Sequence, residues 1–177
     1  MRGVARSIYM TGDMLQDFAP PPEVLVALYR DNRLDLIRLA LLLVGDRETA
    51  EDVVQDVFAR LHGSRPGTLT LAYVRTSVLN GARSALRRRR VAIHRPPPPP
   101  VPADSAEAAV LLGETRQEVL TALDRLPARQ RETLVLRYYL DLSDGEIAEV
   151  TGLRQSTVRS TVMRALIRLE RELKAST

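Results

Sequence analysis

The 177-residue sequence contains no cysteine or tryptophan and only one lysine, and aromatic residues make up 4% of it. The absence of cysteine excludes a disulfide framework, a thiolate nucleophile, and cysteine-ligated zinc or iron–sulfur sites. The two histidines, His62 and His94, are too few for a histidine-rich metal site. The sequence also has no recognisable nucleophile–base pair or glycine-rich phosphate loop. We therefore expect an aliphatic core, no catalytic residues, no metal, no cofactor and no enzyme activity.

Long apolar runs are missing as well. The longest, 34–44, is about half a membrane span in length and is interrupted by Asp35 and Arg38. Residues 1–22 lack the apolar run that a signal peptide requires, and they end in three prolines. We expect a soluble, cytoplasmic protein with no membrane insertion and with a flexible tail over 1–22.

Acidic and basic residues alternate in blocks along the chain. Residues 23–62 have a net charge of −3, whereas residues 63–95 contain eight arginines and no acidic residue. Residues 96–151 have a net charge of −5, and residues 152–177 have one of +4. Two separate basic blocks indicate two surfaces that attract a polyanion.

Helical periodicity covers 23–90, stops, and returns at about residue 111. The interruption contains five consecutive prolines, 96–100, which favour extended polyproline II and form a semi-rigid spacer. No segment has the alternation of a strand. The sequence predicts an all-α protein of two small helical domains joined by a Pro-rich linker, with the boundaries 1–22 (tail), 23–93 (first domain), 94–113 (linker) and 114–177 (second domain).

The first domain contains an acidic helix. Asp46 can cap it after Gly45, and an apolar stripe follows at helical spacing: Ala50, Val53, Val54, Val57, Phe58 and Leu61. The opposite side carries what we call the acidic face: Glu51, Asp52, Gln55 and Asp56. Two interpretations stay open from the pattern alone, a solvated outer face and a docking face for a basic partner helix.

A basic helix follows over 71–90. One side is apolar, with Leu71, Val74, Val78, Ala82 and Ala85. Another side carries what we call the basic stripe: Tyr73, Thr76, Asn80, Arg83 and Arg87. A ring can stack on a base, an amide can bind a base edge, and arginines can bind phosphates, so the stripe favours contact with single-stranded nucleic acid. The alternative is a solvated helix end, and Gly81 indicates a bend or a close approach.

The second domain has the pattern of a helix-turn-helix. Pro127 begins a helix with an expected buried side at Leu134, Val135 and Tyr138. Ser143 and Glu146 form a capping box for a short helix, which Gly152 ends. The longer helix that follows is expected to bury Val158, Val162, Ala165, Leu166, Leu169 and Leu173. Because its other side is rich in arginine, we interpret it as a DNA recognition helix; an ordinary helical hairpin is the alternative.

Together these segments resemble the extracytoplasmic-function (ECF, group 4) sigma factors of the sigma-70 family, including its actinobacterial SigE-type members. The resemblance covers about 23–90 and 114–174. The resemblance rests on these motifs: AEDVVQDVF at 50–58, the basic helix with Asn80, LP at 126–127 followed by RQRE at 129–132, EIA at 146–148, and TVRS at 157–160. Their order and spacing, with the linker between them, are specific to the family.

The resemblance implies a role for each surface. The acidic face would bind bacterial core RNA polymerase, with its beta and beta-prime subunits as the partners, as region 2 does. The basic stripe would bind the melted −10 element, and the recognition face would bind the duplex −35 element through Arg154, Gln155, Ser156, Thr157, Arg159, Ser160, Met163 and Arg164. An anti-sigma factor is a further implied partner, and the chain would associate with the nucleoid. The other functions considered are a free-standing helix-turn-helix transcriptional regulator and a decoy that docks on polymerase without binding DNA.

Overall fold

The structure, a computed structural model, describes residues 22–63, 69–92 and 114–175. The linker expected at 94–113 lies outside the described residues, as does the expected tail except for Pro22, which already begins a helix. Every regular element in the described ranges is helical, which confirms the all-α prediction. None of the described helices is long and apolar enough to cross a bilayer. The helices are α1 (Pro22–Val44), α2 (Arg47–Gly63), α3 (Leu71–Ala92), α4 (Glu114–Asp124), α5 (Ala128–Leu134, continued by a π-helical turn at Val135–Tyr139), α6 (Asp144–Thr151) and α7 (Gln155–Lys174).

Helices α1, α2 and α3 pack against one another and form the N-terminal half, 22–92. The whole predicted apolar stripe of α2 is buried, and Tyr29 of α1 packs edge-on against Phe58 with ring centroids 4.9 Å apart. Gly45, at a φ of +90°, ends α1, and the Asp46 carboxylate accepts a hydrogen bond from the Thr49 amide at 2.8 Å. The predicted cap is therefore present at the start of α2.

Gly81 marks a close approach of α3 to α2. A Cβ atom at this position would lie 3.0 Å from Val53 Cγ1, which is tighter than ordinary van der Waals contact. Helix α3 nevertheless runs as one element from Leu71 to Ala92. The close approach therefore fixes the position of α3, which carries the basic stripe, relative to α2. It does not interrupt the helix.

The C-terminal half, 114–175, differs from the sequence prediction at the end of α5. The prediction of a buried Tyr138 is wrong, because the side chain is 64% exposed. The chain turns here as a π-helix, in which the Leu140 amide donates to the Val135 carbonyl oxygen at 3.2 Å. A π-helical turn contains one residue more than an α-helical turn, so it rotates the side chains that follow out of the α-helical register.

The capping box and the glycine turn of the helix-turn-helix agree with the prediction. Ser143 and Glu146 form both hydrogen bonds of the capping box, and Gly152 ends α6 in the left-handed region at a φ of +71°. Helix α7 packs on α5 through a narrow stripe that includes Val158 and Ala165. The prediction that Leu166 is buried is wrong, since it is 38% exposed. Its position is about 100° around the helix from Ala165, at the edge of that stripe.

The capping box gives a prediction about stability and pH. Ser143→Ala removes the acceptor of the Glu146 amide and should lower the free energy of unfolding by about 1 kcal/mol. The hydrogen bonds from the Ser143 side chain and backbone hold the pKa of Glu146 below its ordinary value of 4.5. This contribution to stability is therefore complete above pH 4.5 and is lost as the pH falls through the lowered folded-state pKa.

Urea unfolding at neutral and acidic pH measures both effects, and the destabilisation in Ser143→Ala should be larger at neutral pH. Ser84→Ala, in the middle of α3, is the matched control and should not lower stability, because alanine is the better helix former. An equal loss at the two pH values would contradict the role assigned to the Glu146 carboxylate.

Candidate nucleic-acid interface

The acidic face of α2 is accessible in the folded chain. Asp52, Gln55 and Asp56 are exposed, whereas Glu51 is half-buried and accepts a hydrogen bond from Arg47 Nε at 2.9 Å. The negative charge available to a partner is therefore concentrated at Asp52 and Asp56, one helical turn apart. The two carboxylates lie on the outer side of α2 because the opposite side of this helix is buried in the core.

The basic stripe lies along α3 and is only partly free. Tyr73, Asn80 and Arg87 are exposed, with 46% of Tyr73 accessible. The half-buried Thr76 donates its hydroxyl hydrogen to the Ala72 carbonyl oxygen at 3.0 Å. The exposed ring, amide and guanidinium thus share one side of the helix, as the sequence predicts.

Arg83, in the middle of the basic stripe, contacts the C-terminal half. Its Nε lies 2.6 Å from Glu132 Oε1, and its Nη2 donates to the Val150 carbonyl oxygen at 3.3 Å. Its Nη1 donates to Asn80 Oδ1 at 3.1 Å. Arg83 therefore orients the Asn80 amide while its own charge is balanced by a carboxylate from another part of the chain.

The recognition face lies on the outer side of α7. Arg154, at the N-cap, and Gln155 precede the exposed Arg159 and Arg164. Ser156, Ser160 and Met163 are also exposed, and only Thr157 is half-buried. Three guanidiniums, an amide, hydroxyls and a thioether on one helix face are side chains that can bind base edges and phosphates in a major groove.

Asp144 positions Arg159 from the first helix of the helix-turn-helix. Its Oδ2 accepts a hydrogen bond from Arg159 Nε at 2.8 Å, and its other oxygen accepts one from Arg137. Arg164 Nε donates to the Ser160 carbonyl oxygen at 3.1 Å. These contacts hold the side chains of Arg159 and Arg164 along α7.

The sequence did not predict several residues that contact the candidate site or lie beside it. Glu132 and Arg131 occur in a family motif, but nothing in the sequence indicates their contacts. Arg131 is only 6% exposed; its Nη1 donates to the Leu43 carbonyl oxygen at 2.9 Å, and its Nη2 lies 2.9 Å from Asp124 Oδ1. Burial lowers the pKa of Arg131, and the Asp124 carboxylate acts in the opposite direction. The contacts of Arg131 with Leu43 and of Glu132 with Arg83 join residues far apart in the sequence, so they leave no periodic signal.

A cleft of about 410 Å³ separates α3 from α5 and α6. Arg83 and Arg87 line one side, and Arg129 and Glu132 line the other. Within the described residues, no cluster of three or more histidine, cysteine or carboxylate side chains could hold a metal ion.

Known proteins are similar to this chain in sequence and in fold. Residues 28–91 match the family described as Sigma-70 region 2, and residues 116–169 match that described as Sigma-70, region 4. The RNA polymerase sigma-E factor of Streptomyces coelicolor is 32% identical over 144 residues, which cover 79% of this chain and 80% of that protein. The ECF RNA polymerase sigma factor SigM of Mycobacterium tuberculosis is 32% identical over 150 residues, with 82% and 75% covered.

A solved structure is similar across both halves. The sigma factor RpoE from Bartonella quintana, crystallised with the anti-sigma factor NepR, is 25% identical with a TM-score of 0.60. The match covers 88% of this chain and 96% of that one. The chain therefore belongs to the sigma-70 family of RNA polymerase sigma factors, within its extracytoplasmic-function group.

Proposed function

We propose that this sigma factor works through three faces: the acidic face binds core RNA polymerase, the recognition face binds the −35 duplex, and the basic stripe binds the melted −10 strand. The observation that carries the proposal is the placement of opposite charges on separate outward surfaces. Asp52 and Asp56 are exposed on α2, and Arg159 and Arg164 are exposed on α7. A protein that binds a polymerase and DNA at the same time needs such separate surfaces.

We assign core binding, −10 recognition and melting to residues 23–93, and −35 recognition to residues 114–177. Residues 94–113 form the linker between them. The beta and beta-prime subunits of the core and promoter DNA are the partners. The family match over 28–91 and 116–169 supports this assignment, because each matched segment lies inside one proposed domain. In this proposal the Pro-rich linker connects the half that binds the −10 element to the half that binds the −35 element.

Recognition at the −35 element follows from the chemistry of α7. An arginine can donate two hydrogen bonds to guanine, and the exposed methionine Met163 can contact a thymine methyl group. The Asp144 carboxylate limits the conformations of Arg159, so that less side-chain entropy is lost on binding.

Recognition at the −10 element requires bases to leave the duplex. Extruding a base costs a few kcal/mol, which stacking and hydrogen bonds in a protein must offset. The exposed Tyr73 ring can stack on a base, and the exposed Asn80 amide can bind a base edge. The stripe therefore supplies both kinds of contact within two turns of one helix.

An anti-sigma factor is proposed as a further partner, because the similar solved structure from Bartonella quintana contains one. We also propose that the chain has no catalytic activity of its own and acts at the nucleoid in the cytoplasm. In this view its contribution is specificity, since the polymerase performs the chemistry.

The proposal is tested by gel filtration of the chain with bacterial core polymerase, followed by run-off transcription from a genomic-fragment library. We expect co-elution and discrete transcripts, whose start sites then supply the −10 and −35 sequences. Core polymerase alone is the control and should give no discrete transcripts. Co-elution without transcripts would contradict the promoter-binding roles, and a lack of co-elution would contradict the role of the acidic face.

A further inference from the structure

Asp144, the first residue of α6, lies between two guanidiniums. Its Oδ2 accepts a hydrogen bond from Arg159 Nε of α7 at 2.8 Å, and its Oδ1 accepts one from Arg137 Nη2 in the π-helical turn. Arg137 also donates through Nη1 to the Leu142 carbonyl oxygen at 3.0 Å. The side chain of Asp144 is 17% exposed, whereas that of Arg159 is 70% exposed. A chain of hydrogen bonds therefore runs from a partly buried anchor to the recognition face.

Stability does not explain the outer link of this chain. An ion pair with a guanidinium as exposed as that of Arg159 contributes little to the free energy of unfolding, because water screens the charges and the side chain loses rotational freedom. The pair between Asp144 and Arg137 is less exposed and is the one that adds to stability. The link from Asp144 to Arg159 therefore points to a role at the DNA-binding surface.

Arg159 differs from the other arginines of the recognition face in its partner. Among the described residues, a carboxylate pairs with Arg159, but none pairs with Arg154 or Arg164. The group of Arg137, Asp144 and Arg159 carries one net positive charge instead of two, so it attracts a phosphate less strongly than two unpaired arginines would. Hydrogen bonds to a neutral base edge lose less from this compensation. Arg159 is therefore the arginine best suited to a base.

The contact also decides which nitrogens of Arg159 remain for DNA. Its Nε is bonded to Asp144, and neither Nη atom has a hydrogen-bond partner in the part of the chain that the structure describes. A guanidinium binds guanine through two N–H groups, which donate to N7 and O6 in the major groove. Because Nε is occupied, the remaining pair is Nη1 and Nη2, at the end of the planar side chain. Asp144 therefore leaves Arg159 with an end-on pair of donors.

We propose that Asp144 is a positioning residue for −35 specificity: it holds Arg159 at Nε so that the two Nη groups bind one guanine end-on, and it disfavours a phosphate at the same guanidinium. This inference rests on the proposed −35 role of the recognition face and deepens it by naming the base that Arg159 binds. Without the carboxylate, Arg159 is free to bind a phosphate, and the chain then binds duplex DNA with less discrimination between sequences.

The test uses the complex of the full chain with core polymerase and a promoter found by run-off transcription. Duplexes in which each G·C pair of the −35 element is replaced in turn by A·T compete with the fluorescently labelled promoter. With the unaltered chain, replacement at one position should reduce the affinity about tenfold, the scale of a bidentate arginine–guanine contact. In Asp144→Asn this preference should fall to about twofold, and the preferences at the other positions should be unchanged.

The salt dependence of binding is a readout that a purely structural role would not move. Because Asp144→Asn releases Arg159 to a phosphate, the slope of log affinity against log salt concentration should steepen by about one. The matched control is Asp141→Asn, the same chemical change at an exposed residue in the turn before α6. Asparagine accepts the left-handed backbone at this position, where φ is +54°, so the control should fold and keep both the guanine preference and the slope.

Arg159→Lys separates positioning from charge. Lysine keeps the positive charge at this exposed position but cannot donate two hydrogen bonds from a planar fork, so it should lose the guanine preference as Asp144→Asn does. Combining the two substitutions should reduce the preference no further, because Asp144 acts only through Arg159.

A full guanine preference in Asp144→Asn would overturn the inference, as would a further loss in the double variant or a promoter in which Arg159→Lys weakens the preference for no guanine. An equal loss of affinity for every duplex, or a loss of helical circular dichroism in Asp144→Asn, would also overturn it, since Asp144 would then act through stability. In these cases, discrete transcripts from the unaltered chain would leave the proposed function intact. Failure of the unaltered chain to give them would instead reject the −35 role itself, and this inference with it.

Discussion

Asp52→Arg should weaken the binding of core RNA polymerase by about thirtyfold or more, because losing one partner of a close interfacial charge pair typically costs about 2–5 kcal/mol. The substitution also places a positive charge where we propose that a basic partner surface docks. The fold should be unaffected, since Asp52 is exposed and the introduced guanidinium would face Asp56 one turn along α2. Gel filtration and fluorescence titration with core polymerase measure the loss.

The matched control for this charge reversal is Glu118→Arg on α4. Glu118 is also an exposed acidic residue on a helix, but it lies outside the acidic face. This variant should bind core polymerase as the unaltered chain does. Normal co-elution of Asp52→Arg with the core would contradict the role assigned to the acidic face.

Asn80→Ala should reduce the permanganate reactivity of the −10 thymines about tenfold while leaving closed-complex formation within about twofold, since an amide–base contact provides about 1–3 kcal/mol. The amide is exposed, so that a base can reach it, and its oxygen accepts a hydrogen bond from Arg83 Nη1 at 3.1 Å. Alanine is a better helix former than asparagine, so α3 should remain intact in the variant.

The matched control is Asn32→Ala on α1, the other asparagine of the sequence. Its side chain donates to the Leu28 carbonyl oxygen and lies outside the basic stripe, so promoter melting should be unchanged. Permanganate footprinting at a promoter found by run-off transcription distinguishes the two variants. Normal thymine reactivity in Asn80→Ala would count against a role of this amide in melting.

The secondary structure and the surface chemistry were largely predictable. The apolar stripe of α2 and the capping box at Ser143 are local patterns, and both are present as expected. The exposure of Asp52 and Arg159 also follows from helical periodicity, since the opposite sides of α2 and α7 must be buried. The prediction of burial failed at Tyr138, where a π-helical turn changes the register. It also failed at Leu166, because the buried stripe of α7 is narrower than the stripe of apolar residues in the sequence.

The sequence by itself determined the all-α fold, the caps at Asp46 and Ser143, the charge of each surface and the family to which the chain belongs. Only the tertiary structure decided that Arg83 pairs with Glu132, that Arg131 reaches Leu43, and that Asp144 holds Arg159. The physical reason is the sequence distance over which the interactions act, because helical periodicity and capping depend on neighbours within about four residues. A contact between Arg83 and Glu132 depends instead on how two packed halves are placed, which no local pattern specifies.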